Sequence, residues 1–215
     1  MTSSEGSLLN FYGRTPLSRE RLAASFSKPV VKKVKGILFV DFVRMLRAHK
    51  GVPLGDYLQV GDLVYLNQHI APGAWYPMDV YERMGLAILA EIAGNDLDLV
   101  RDWGRQTIDL LVAAQPELFT TDARETFMRF HVLRQSLFDY PAARITAIHD
   151  GEARIEISYG MSARAEEAAV HLSLGFIERL LELSKALNPE VRLKTRSWAG
   201  DDATVIHVRW QQASR

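Results

Sequence analysis

Apolar side chains fall at Ile37, Phe39, Val40, Phe42, Val43 and Leu46, a helical spacing that runs from Ile37 to His49 and ends at Gly51. Residues 52–77 are broken by Pro53, Gly55, Gly61, Pro72 and Gly73, so turns and short helical pieces are expected there. Pro77-Met-Asp-Val-Tyr81 opens a helix reaching about Ala93, which Gly94-Asn-Asp96 stops. Leu97, Val100, Trp103, Ile108 and Leu111 mark one side of an amphipathic helix from Leu97 to Ala113. Thr120-Thr-Asp-Ala-Arg-Glu125 has the form of a helix cap, and the helix it opens is apolar over most of its surface between Phe127 and Phe138.

The period then changes. Ala143–Ile148 and Ala153–Tyr159 alternate apolar and polar residues around the turn His149-Asp-Gly-Glu152, which predicts a hairpin. Ala165–Leu187 returns to helical spacing, with Ala169, Leu172, Phe176, Leu180 and Leu183 as its stripe. Glu190–Ser197 and Ala203–Trp210 form a second alternating pair around Ala199-Gly-Asp-Asp202. The expected class is α+β: a helical front half, then hairpin, long helix and hairpin forming a four-stranded antiparallel sheet packed on helices. Residues 1–33, rich in Ser and Arg with an apolar island at Leu8, Leu9, Phe11 and Tyr12, read as a tail or docking arm. Residues 34–215 read as one domain.

Composition narrows the chemistry. Of 215 residues none is cysteine, which excludes disulfides, thiolate-ligated haem, cysteine-held iron–sulfur clusters and zinc fingers. Formal net charge is zero, so no global field draws the chain to nucleic acid or an anionic membrane; the lysines from Lys28 to Lys35 read as a solvated lead-in. The stretch Met1–Ser7 lacks the basic and apolar regions of a signal peptide, and no run approaches the ~20 apolar residues of a membrane span. A cytoplasmic location is the expectation. No phosphate loop or nucleophile elbow occurs, Glu166-Glu167 and Asp201-Asp202 read as solvated helix-start and turn carboxylates, and no enzyme is expected. The six histidines show no metal-ligand spacing with one another.

His131 is the exception with potential chemistry. Placed among Phe127, Phe130 and Leu133, it is open to two readings: an axial haem ligand, or a core histidine bonded to a backbone carbonyl.

The order of segments over residues 34–210 resembles the haem-nitric-oxide/oxygen-binding (H-NOX) family and its haem-free relatives, which include an uncharacterised myxobacterial family. The resemblance is carried by Lys35-Gly-Ile-Leu38, Trp75-Tyr-Pro77, Trp103-Gly-Arg-Gln-Thr-Ile108, Tyr159-Gly-Met-Ser-Ala-Arg164 and Leu174-Gly175. It implies that His131 falls where the family holds its iron and that Tyr159, Ser162 and Arg164 face the haem propionates. The family spaces its Tyr, Ser and Arg two apart, whereas Tyr159 precedes Ser162 by three. Either a bulge absorbs the extra residue or the clamp is gone, in which case Ser162 caps the long helix and Arg164 lies on its surface. Phe39, Phe42, Val43, Leu89, Ile108, Leu111, Phe127, Leu133 and Leu137 either line a porphyrin slot or fill it.

The resemblance thus implies a sensor or regulatory module that signals to a protein partner, with haem as cofactor and gas binding moving the His131 helix. The alternative is a haem-free interaction or apolar-ligand module on the same fold, with a filled or narrow cavity beside His131. The apolar arm points to docking or homo-oligomer formation.

Overall fold

The computed structural model describes residues 31–212. The apolar arm at Leu8–Tyr12, and with it nearly all of the expected tail, lies outside the described residues.

The first helix, α1 (Gly36–Ala48), buries Phe39, Val43 and Leu46, the stripe that its spacing marked, and leaves Ile37 exposed. Two three-residue strands, β1 (Lys33–Lys35) and β2 (Trp75–Pro77), pair antiparallel at its entry. A short α2 (Leu63–Asn67) follows two 3-10 turns. Helix α3 (Met78–Ala87) continues as a π-turn over Ile88–Ile92, so the expected helix to Ala93 changes its winding before it stops. Helix α4 (Leu97–Ala114) starts at Asp96, whose carboxylate accepts from the Asp98 and Leu99 amides at 2.9 and 3.1 Å. Helix α5 (Ala123–Gln135) starts the same way at Asp122, which accepts from the Glu125 amide at 3.0 Å.

The four-stranded sheet has the order β3 (Ala143–His149), β4 (Glu152–Ile157), β6 (Thr204–Gln211), β5 (Leu187–Thr195), every pair antiparallel. Helix α6 (Ala163–Leu183) connects the two hairpins. Alternation decides which face is wet. Ala153, Ile155 and Ile157 of β4 and Ile206, Val208 and Trp210 of β6 are buried toward the helices, and the Trp210 ring meets Phe127 of α5 at 5.7 Å between centroids.

Helix α6 ends four residues before the expected Leu187. The Ala186 amide donates to the Leu181 carbonyl and the Lys185 amide to the Glu182 carbonyl, both at 3.0 Å, a Schellman stop with Lys185 left-handed at φ 54°. Glycine is the usual residue at that position. A lysine there leaves no sign in the sequence.

Helices α4 and α6 cross at two glycines. A Cβ on Gly104 would run into the Leu172 carbonyl oxygen, and one on Gly175 into the Arg101 carbonyl oxygen. Ion pairs flank the crossing: Arg101 with Glu178, Arg105 with Glu182 at 2.7 Å, and Arg179 with Asp109 at 2.7 Å.

Candidate functional site

The candidate site lies where α5, α6 and the β4–α6 turn meet. Helix α5 directs Phe127 into the core and leaves Met128 and Val132 exposed, so His131 falls on the boundary and is half-buried. Its ring, with Phe127 and Phe130, lines a space of about 30 Å³ against Ile145, Ile155 and Ile157 of the sheet. The Gln135 side-chain nitrogen stands 3.0 Å from His131 Nε2, one helical turn along. Burial lowers the His131 imidazole below its usual pKa, and the Arg134 charge lowers it further, which favours the neutral ring.

The three other expected haem contacts do not converge with His131. Tyr159 points inward and is buried; its hydroxyl meets Ser173 Oγ at 2.9 Å, and its carbonyl accepts from Tyr140 and Lys32 at 3.1 and 3.2 Å. Ser162 occupies the N-cap position of α6, but its hydroxyl makes no capping bond there; its backbone N–H donates to Glu82 at 2.8 Å. Arg164 lies on the surface, paired with Glu167 at 2.7 Å and reaching Asn95 Oδ1 at 3.3 Å. Between Tyr159 and Ser162 the chain turns through Gly160, left-handed at φ 70°.

Glu166 occupies the centre of that turn. Its carboxylate accepts from the Tyr159 amide at 2.8 Å and the Met161 amide at 3.0 Å, and the residue is buried. The expectation that Glu166 and Glu167 are both solvated is therefore corrected: the i+1 step around the helix sends Glu167 to the surface pair with Arg164 and Glu166 inward. Burial raises the Glu166 carboxyl above its usual pKa, against the bonds that hold it charged.

Between α5 and α6 is a second space, of about 60 Å³, lined by Leu38, Tyr81, Phe130, Leu137, Leu172 and Phe176 among others. Phe130 and Phe176 meet edge to face across it at 6.3 Å. Arg134 enters the same space. One of its terminal nitrogens donates to Ser173 Oγ at 3.2 Å, and its guanidinium carbon lies 5.5 Å above the Tyr159 ring. Its Nε is shut off from solvent and has no hydrogen-bond partner. Among the described residues no carboxylate pairs with it.

Three solved structures match the chain over most of their length. The Fe(II) unliganded H-NOX protein from K. algicida covers 84% of this chain and 98% of its own, with 13% identity and a TM-score of 0.57. An H-NOX protein from S. oneidensis in the Fe(II)NO state covers 82% and 99%, with 12% identity and a TM-score of 0.54. A point mutant of T. Tengcongensis H-NOX covers 84% and 100%, with 18% identity and a TM-score of 0.55. The chain has an H-NOX-like fold. No family model and no curated protein sequence matches it.

On this H-NOX-like scaffold, the residues expected to line or fill a slot divide. Phe39, Val43 and Ile108 are fully packed core, Phe127 borders the space beside His131 and Leu137 the one between α5 and α6, and Phe42 and Leu89 line a further apolar space of about 80 Å³ between α3, α4 and α6. Sequence reasoning missed Arg134, Glu166 and Ser173. Arg134 had a signal: Phe130, Arg134 and Leu137 follow one another at i, i+4 and i+7, which puts a cation in an apolar stripe. Ser173 had a weaker one, a hydroxyl within the buried stripe of α6. Among the described residues no three His, Cys, Asp or Glu side chains cluster as a metal site, and no helix is long and apolar enough to cross a membrane.

Proposed function

We propose that this chain is a haem-independent, non-catalytic sensory or regulatory module built on the H-NOX fold, which passes the state of the space between α5 and α6 to a protein partner. The observation that carries this reading is Glu166. A haem propionate would need donors in the β4–α6 turn, and the chain's own buried carboxylate already holds the Tyr159 and Met161 amides. The remaining geometry is consistent with it. Arg164 is paired with Glu167, the Ser162 backbone N–H is held by Glu82, and the slot of about 60 Å³ is far below the ~300–1,000 Å³ of a pocket that encloses a sizeable ligand. His131 shares its Nε2 with Gln135 and borders the sheet-side space, not the one between α5 and α6. These residues do not fit a haem, although solved structures of the fold carry iron in their Fe(II) and Fe(II)NO states.

The test is the absorption spectrum of the full chain purified from cells supplied with haem precursor. The expected spectrum has no Soret band, and His131→Ala lowers the melting temperature without changing it. A Soret band that disappears in His131→Ala would overturn the reading.

A further inference from the structure

Among the described residues Arg134 is a cation without an anion. It enters an apolar space, its Nε is sealed from water without a partner, and its one protein hydrogen bond goes to a neutral hydroxyl that already serves Tyr159 and donates to the Ala169 carbonyl. A half-buried guanidinium whose Nε is sealed without a partner is costly in a finished core, where buried polar groups find partners. The same group is well suited to receive a carboxylate, because its planar fork matches two carboxylate oxygens.

The walls restrict what that carboxylate can be attached to. Leu38, Phe130, Leu137 and Phe176 are apolar, and Tyr81, Tyr159 and Ser173 bring only neutral hydroxyls, so a doubly charged phosphate would meet one cation and leave part of its charge unmatched. A neutral apolar molecule would leave Arg134 as it is. The space is small, but Tyr81, Met161, Ala169 and Leu172 also line the apolar space of about 80 Å³ beyond it. Two of those four are yielding: a methionine, which repacks readily, and an alanine, which takes little room.

We propose that this cavity binds a straight-chain monocarboxylic acid of medium length, its carboxylate on Arg134 and its tail running past Met161 and Ala169 into the adjoining space of about 80 Å³. Binding would supply the missing counter-charge and wedge α6 from α3, which is a route from ligand to partner surface. The proposal rests on the haem-independent reading, since Phe130 and Arg134 border both this cavity and the space beside His131, and a haem there would displace them.

The test is thermal unfolding of the full chain with sodium octanoate, butyrate, acetate or octanol at equal concentrations below micelle formation. Octanoate near saturation should raise the melting temperature by about 5 °C, butyrate by less, and acetate and octanol by nothing measurable. Arg134→Met should fold and lose the octanoate response; Arg134→Gln serves as the second variant if the first does not fold. An equal response to octanol, an equal response to acetate, or a response that persists without Arg134 would each overturn the proposal. The two failures are distinguishable: a Soret band defeats the haem-independent reading, whereas a colourless protein indifferent to octanoate defeats only the fatty-acid site.

Discussion

Removing the Arg134 charge should make the ligand-free protein more stable. Burial lowers the guanidinium well below its usual range, to about 10. Each tenfold in that equilibrium is worth about 1.36 kcal/mol, so the folded state holds the charge at a cost of about 3 kcal/mol. Methionine fills much of the same volume and forfeits two favourable contacts. The donation to Ser173 at 3.2 Å is worth about 1 kcal/mol. The guanidinium over the Tyr159 ring, at 5.5 Å, is worth about 0.5–1 kcal/mol. The balance favours Arg134→Met by about 1 kcal/mol, or about 2–4 °C for a chain of this size. The pH dependence fixes the sign. A cation whose folded pKa is lowered carries its full penalty below about pH 10, and the penalty is released as pH rises from there toward the range of a free guanidinium. Urea midpoints of the two proteins should therefore keep a constant separation from pH 6 to about 9 and converge above about 10. A drop of 3 °C or more in Arg134→Met would refute the reasoning, because it would mean that the charge is compensated in the folded chain.

Glu166→Ala leaves the Tyr159 and Met161 amides without their acceptor and should cost about 2–4 kcal/mol in chemical denaturation. Because burial raises the Glu166 carboxyl, its linked stability is full below about pH 4.5 and declines as pH climbs through the raised value; Glu166→Gln should flatten that part of the wild-type profile. Gly175→Ala drives a methyl into the Arg101 carbonyl, backbone against backbone, and should cost about 3 kcal/mol or more, while Ala at the open turn Gly73 should cost under about 1 kcal/mol. Equal losses at the two glycines would show that the helix crossing is looser than described.

Much of the fold was legible because its signals are local and periodic. The stripe of α1, the Asp122 start of α5 and the Asp150-Gly151 hairpin each depend on residues within a few positions of one another. What was not legible depends on tertiary context. Strands β1 and β2 are three residues each, too short to show alternation, and they exist because residues 33 and 77 are brought together. The end of α6 was hidden because lysine replaces the glycine that usually marks a Schellman stop. The site divides in the same way. His131, Tyr159, Ser162 and Arg164 could be named from order and residue type, but side-chain direction decides whether they form a clamp. Glu166 and Glu167 are adjacent and chemically identical, yet one is buried on two amides and the other is on the surface. Only the packing of the turn against α6 separates them.

The most direct test of the central claim is an equilibrium hemin titration of the full chain, followed from 380 to 450 nm beside His131→Ala. Wild type and variant are expected to give the same weak, non-saturating absorbance. A saturating Soret band at one hemin per chain, lost in His131→Ala, would contradict it.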